Sequence, residues 1–425
     1  MKEEFLSYLW EYKLIQKELL HTTQGQELEI ISPGTKNKNS GPDFSAAKIR
    51  IGNTIWAGNV ELHINTSDWK NHNHHNDPAY SNIILHVVFN NDIPETNGSN
   101  SFPQPCLELK NYYDSRLFSN FQHLINSKNW VPCQNFIESV NNVIISSWLN
   151  RMLIERLERK SEEILHFLKY NNNNWDEVFY QFLARNFGFK INKTPFGLLA
   201  QKTPLNIITK HNDQLIQIEA ILFGQSGLLN NSQTDIYPRT LIKEYEFIKN
   251  KYNLAPIDKK LWKQSKLRPA NFPCIRLSQF AMLLYNRGKL FRDLINSETA
   301  DEIINILKTH SSPYWAEHYN FDKQSAQKNK TLGLDSIQNI IINTIVPFMF
   351  VYGKERMDNR LVEKAIEIIT KLAPEKNQIT NNWIRLGLAP INAADSQALI
   401  ELKKNYCVSK KCLHCAIGHC VIKGN

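Results

Sequence analysis

Apolar and polar positions change their period once along this chain, close to residue 134. Ahead of that point the period is two, the signature of strands. FSAAKIRI (Phe44–Ile51) and TIWAGNVELHI (54–64) are strand-like runs joined at Gly52-Asn53, a short-range hairpin signal. GQELEIIS places a strand over Glu27–Ser32, NIILHVVFN one over 82–90, and PQPCLELK a further one over 103–110. A helix over 2–20 precedes them. After Val131-Pro132 the pattern turns helical, beginning with a long amphipathic segment over 143–168. Further helices are predicted over 175–186, 215–223, 240–252, 276–284, 300–308 and 360–372. The expected fold class is α+β: an N-terminal mixed β-sheet domain with flanking helices (1–133), an all-helical domain (134–400) and a short Cys-rich tail (401–425).

Composition fits an ordinary globular chain of 425 residues, with 42% hydrophobic and 21% charged positions. The most apolar stretch, 337–352, is interrupted by Gln338, Asn339 and Pro347. It reads as a buried helix kinked or ended near the proline. The N-terminus lacks a signal-peptide layout, so a cytoplasmic location and no membrane association are expected. Net charge is +9 and the pI near 9.0, a bias toward polyanionic partners. No Gly-Lys-Ser/Thr phosphate loop, Gly-x-Gly-x-x-Gly, Gly-x-Ser-x-Gly or His-Glu-x-x-His occurs, which removes nucleotide-driven, serine-hydrolase and zincin chemistry.

The hairpin carries the leading candidate chemistry. Asp43 opens its first strand and Glu61 lies near the end of its second, so folding would bring two carboxylates together. Such a pair suits a hard divalent cation, Mg²⁺ or Mn²⁺. His63, two residues from Glu61, shares its strand face. His72, His74 and His75 follow in SDWKNHNHHNDP, where they read individually as a polar loop. His86, in an apolar strand, could face Glu61 as a further ligand or serve as a structural hydrogen-bonding group. Arg268, Arg276 and Gln279, in a proline-punctuated loop entering a helix, read as a rigid connection ahead of a phosphate contact.

Gly41-Pro42-Asp43 followed by Glu61-Leu62-His63 resembles the PD-(D/E)xK nuclease superfamily, over roughly the first quarter of the chain. That resemblance implies a restriction-endonuclease-like fold, metal ligation by Asp43 and Glu61, phosphodiester hydrolysis, and a third acidic ligand from the first helix or strand, for which Glu11, Glu18, Glu27 and Glu29 are available. His63 stands where that superfamily usually has Lys, which removes a permanent positive charge. The whole chain also resembles an uncharacterised bacterial family, a domain of unknown function that brings no activity with it.

The seven cysteines divide unevenly. Cys106, Cys133 and Cys274 are isolated and read as small buried hydrophobes. Cys407, Cys412, Cys415 and Cys420 cluster around a CxxC with ligand spacing for zinc or a [4Fe–4S] cluster. The spacing resembles the cluster loop of endonuclease III-type DNA glycosylases, with intervals differing by one or two. The iron–sulfur clusters of some PD-(D/E)xK nucleases use a split arrangement instead. The resulting expectation is a metal-dependent nuclease acting on DNA before RNA, with Asp43, Glu61 and His63 catalytic and Asp43, Glu61 and His86 at the metal. The alternatives are a degenerate nucleic-acid-binding or assembly protein, with a protein partner on its helical domain, and a small-molecule metallohydrolase using the His-rich loop.

Overall fold

The computed structural model describes residues 2–15, 20–93 and 104–424. The chain divides into two compact units, Met1–Trp148 with Lys403–Asn425, and Leu149–Leu402. The residues from Lys403 onward, which composition sets apart as a tail, are therefore part of the N-terminal unit.

That unit is built on a seven-stranded mixed sheet. The strands are β1 (Leu20–His21), β2 (Glu27–Ser32), β3 (Thr35–Lys36), β4 (Phe44–Ile51), β5 (Thr54–Asn65), β6 (Ile83–Asn90) and β7 (Cys106–Glu108), in the order β1-β2-β4-β5-β6-β7 with β3 paired to β4. β4 and β5 form the expected antiparallel hairpin, and Gly52 (φ 55°) supplies the left-handed turn residue. β5, β6 and β7 are parallel. Phe44, Ala47, Ile49, Val60, Leu62, Leu85, Val87 and Leu107 fill one face of the sheet together with Leu6 and Trp10 of α1 (Glu3–Glu11). The first six residues of β6 are buried on both faces, as a central parallel strand should be.

The helix expected over 2–20 is shorter than that. α1 stops at Glu11, and Lys13 takes a left-handed conformation (φ 47°) that a continuing helix excludes. Further helices of this unit include α2 (Asp68–Asn71), in the crossover between β5 and β6, α3 (Ser115–Asn126) and the C-terminal helix Ala416–Lys423.

The second unit is mostly helical. Most expected helices are present within a few residues of the predicted ends, among them Trp175–Phe187, Ile236–Tyr252 and Asn359–Lys371. A two-stranded hairpin, His318–Asn320 with Lys323–Gln324, interrupts the expected all-helical character. Pro347 neither ends nor breaks its helix. Leu334–Glu355 runs for 22 residues through a π-helical segment, Ile341–Ile345, placed just ahead of the proline. The wider π turn accommodates a ring that cannot donate an N–H to the preceding turn. By length and composition this helix could cross a membrane (mean hydropathy 1.4), but 67% of that window is buried inside the protein. Arg276 is a buried structural group: it donates to Gln279 Oε1 (2.9 Å), Asn271 Oδ1 (2.5 Å) and Ser336 Oγ (3.0 Å), and covers the Phe189 ring. Those bonds tie the proline-punctuated loop to the helix after it.

Candidate functional site

The hairpin brings Asp43 and Glu61 together through their backbones as well as their side chains. Asp43 N–H donates to Glu61 Oε2 (3.0 Å), and Leu62 N–H donates to Asp43 Oδ2 (3.1 Å). Each carboxylate is held by the opposite strand. Burial raises the Asp43 carboxyl above its ordinary value, against the opposing pull of the Leu62 N–H and Lys36. Burial, and then the neighbouring Asp43 charge, push Glu61 up to about 8. The buried Glu61 and the half-buried Asp43, each bonded to the other's strand, suit a cation between them.

Glu61 and His63 lie on the sheet face opposite the main core, where the crossover from β5 to β6 covers them. Asp68 starts α2 by accepting from Asn65 N–H (2.9 Å), and Asp77 accepts from Ala79 N–H (2.8 Å). Between them Asn73 takes a left-handed conformation (φ 58°), one that asparagine tolerates. The chain reverses there, and His72 and His74 converge on His63. One ring nitrogen from each of the three lies within 4.8 Å of the others. His63 Nε2 is 3.1 Å from His72 Nδ1, and His74 Nε2 is 3.4 Å from Glu61 Oε1. His74 stacks on Tyr80 (centroids 3.9 Å apart), and the buried Trp69 packs edge-on against His63 and His74. Burial, with His74 and His72 alongside, drives the His63 imidazole down to about 4. His63 is therefore neutral at physiological pH, the state in which imidazole binds metals.

His86 is opposite Glu61 in the parallel register, but it does not join this group. Its Nε2 is 2.9 Å from His63 Nδ1, and burial drives it down to about 3. It bonds to the His63 ring nitrogen opposite the one nearest Glu61, and the three-imidazole group does not include it. His75 is exposed and contacts Asn76, outside the cluster.

Of the four acids expected as a third ligand, the three that are described lie elsewhere. Glu3, at the start of α1, is the carboxylate near the pair: burial and then the Asp43 charge raise its pKa, and it also feels His72 and Asp68. Glu11 pairs with Lys36 (3.7 Å), Glu29 with Arg50 (2.5 Å), and Glu27 is exposed on β2. Glu18 lies outside the described residues. Nothing in the sequence marks Glu3, an ordinary acid in the first turn of an amphipathic helix. A signal for His72 and His74 does exist in retrospect: an asparagine between two histidines, flanked by Trp69 and Tyr80.

This is an α+β protein whose mixed sheet presents paired carboxylates beside three imidazoles. The family model for the protein of unknown function DUF2851 matches residues 3–378, and the chain belongs to that family. No curated protein and no solved structure matches it.

Proposed function

We propose that the chain is a metal-dependent hydrolase of phosphodiester bonds, a nuclease-like enzyme centred on Asp43, Glu61 and the three histidines. The observation that carries this reading is the reciprocal bonding of Asp43 and Glu61 beside three ring nitrogens within 4.8 Å. Asp43, Glu61, His63, His72 and His74 would hold the cation. Mixed oxygen and imidazole donors suit Mn²⁺ or Zn²⁺ better than Mg²⁺, which prefers oxygen and water. When bound, the cation lowers the pKa of a water and neutralises charge on the scissile phosphate.

The chain's own residues do the rest. His86 fixes the His63 ring, leaving Nε2 turned toward Glu61. Glu3, whose carboxyl the Asp43 charge helps to raise, would accept a proton near the pair. Lys36, close to Asp43, is a positive charge beside the site where the superfamily's lysine is replaced by His63. The order helix, strand, hairpin, crossover and parallel strand supports a restriction-endonuclease-like reading of the N-terminal unit. The net charge of +9 supports DNA or RNA as the substrate.

A second reading, a small-molecule metallohydrolase, draws on the convergence of His63, His72 and His74, an imidazole-rich set suited to Zn²⁺. Labelled single- and double-stranded DNA and RNA, incubated with Mg²⁺, Mn²⁺ or Zn²⁺, separate the two. Cleavage that requires metal and disappears in Glu61→Ala supports the nuclease. Metal binding without cleavage or salt-sensitive nucleic-acid binding would shift the reading to the small-molecule enzyme. Salt-sensitive binding without cleavage would leave a degenerate nucleic-acid-binding protein.

A further inference from the structure

The C-terminal cysteines are regrouped by the fold. Lys403 Nζ donates to the Trp130 carbonyl and lies over the Trp130 ring, while Lys410 Nζ donates to the carbonyls of Ile125 and Ser127. These contacts lay the segment from Lys403 along residues 125–130, immediately ahead of Cys133. Cys133 (7% exposed) is thereby placed among the C-terminal thiols, inside the same compact unit. Cys407 feels Cys133, Cys412 and Cys415; Cys133 feels Cys412 and Cys415; Cys412 feels Cys415. All six pairs of these four thiols are therefore within electrostatic reach. Cys420 is placed differently: it faces Lys423 and Tyr8, and of the four it meets Cys415.

The surrounding backbone packs Cys412 and Cys415 closely together. Cys415 is the N-cap residue of the C-terminal helix Ala416–Lys423, and its N–H donates to the Cys412 carbonyl (3.3 Å). Gly418 is required there, because a Cβ would meet the Cys412 carbonyl oxygen at 2.2 Å. Three buried cysteines and the half-buried Cys407, gathered in one compact unit, form the donor set of a zinc or iron–sulfur centre.

We propose that Cys133, Cys407, Cys412 and Cys415 together bind one thiolate-held metal centre, with Cys420 outside it. Each thiol releases its proton to solvent as its sulfur–metal bond forms. Four sulfurs around one zinc stand about 3.8 Å apart, from a Zn–S distance of about 2.3 Å. Among the described residues no three of these sulfurs have that closeness within a 4.8 Å limit, so a wider, multi-iron centre suits them better. The centre is independent of the hairpin chemistry and does not rest on it.

The test is metal and sulfide analysis, with visible absorption, of the full chain purified without oxygen and reconstituted with ferrous iron and sulfide, or with Zn²⁺. Wild type, Cys133→Ser and Cys420→Ser are compared. Support is a centre retained in Cys420→Ser and reduced about ten-fold or more in Cys133→Ser. Iron with sulfide and visible absorption identifies a cluster; zinc without absorption keeps the ligand set and overturns the cluster. If Cys133→Ser does not fold, Cys420→Ser decides alone: full metal content supports the assignment, and loss overturns it. Absence of metal from folded, reconstituted wild type overturns the site.

Discussion

Asp43 and Glu61 each accept a hydrogen bond from a main-chain N–H on the other's strand, at 3.1 Å and 3.0 Å. The pair is thus a structural clasp as well as a candidate cation site, and the two roles separate by mutation. Asp43→Ala leaves the buried Leu62 N–H without its acceptor and is expected to cost about 1–3 kcal/mol in urea unfolding. Asp43→Asn keeps an oxygen at that position and is expected to cost well under half as much. Both should lose metal affinity by calorimetric titration with Mn²⁺. Equal destabilisation by the two variants would show that the clasp is not what holds the strands.

His86 holds the His63 ring at 2.9 Å. Partners of this kind around a metal ligand typically contribute 10–100-fold in affinity. His86→Leu is expected to weaken Mn²⁺ or Zn²⁺ binding by about that factor while leaving the number of bound ions unchanged. A change in stoichiometry instead would make His86 a ligand.

Glu401, 2% exposed, takes two bonds from Arg159 (2.9 and 2.7 Å) and faces the buried Arg156 at 3.7 Å. All three belong to the helical unit. Removing the acid leaves a buried guanidinium without its counter-charge. Glu401→Ala is expected to destabilise by about 3–5 kcal/mol in denaturant unfolding, whereas a change confined to the exposed half of the pair, Arg159→Ala, should cost far less.

Lys160 is the clearest source of pH-dependent stability. Burial, and then Arg156 and Lys193, lower its ammonium from 10.5 to about 7. Between those values the unfolded chain holds a proton that the folded chain has released, so stability from this group rises with pH. The penalty is complete below about pH 7. The difference in unfolding free energy between wild type and Lys160→Met should change with pH over 7 to 9, by at most about 1.4 kcal/mol per pH unit. A constant difference across that range would show that Lys160 titrates normally.

Much of the strand and helix pattern was legible because burial imposes it residue by residue. Alternation in FSAAKIRI marks the face of β4 that meets the core, and Gly52 marks the turn. The continuous burial of Ile83 to Val88 likewise follows from an apolar run. Pro347 was misleading because its cost depends on the helix type around it, and a π segment is not written in any local propensity.

The sequence by itself determined the hairpin, and with it the approach of Asp43 to Glu61 and the shared face of Glu61 and His63, since strand pairing and alternation are local rules. It also determined that four cysteines crowd the C-terminus. Only the tertiary structure decided that His72 and His74 join His63, that His86 stands behind it, that Glu3 is the nearby acid, and that Cys133 lies among Cys407, Cys412 and Cys415. Each of those depends on where a loop, a helix start or a distant segment packs. Such placements come from the burial of Trp69, Leu6 and Trp10 and from the Lys403 and Lys410 contacts, which carry no signal at the positions they bring together.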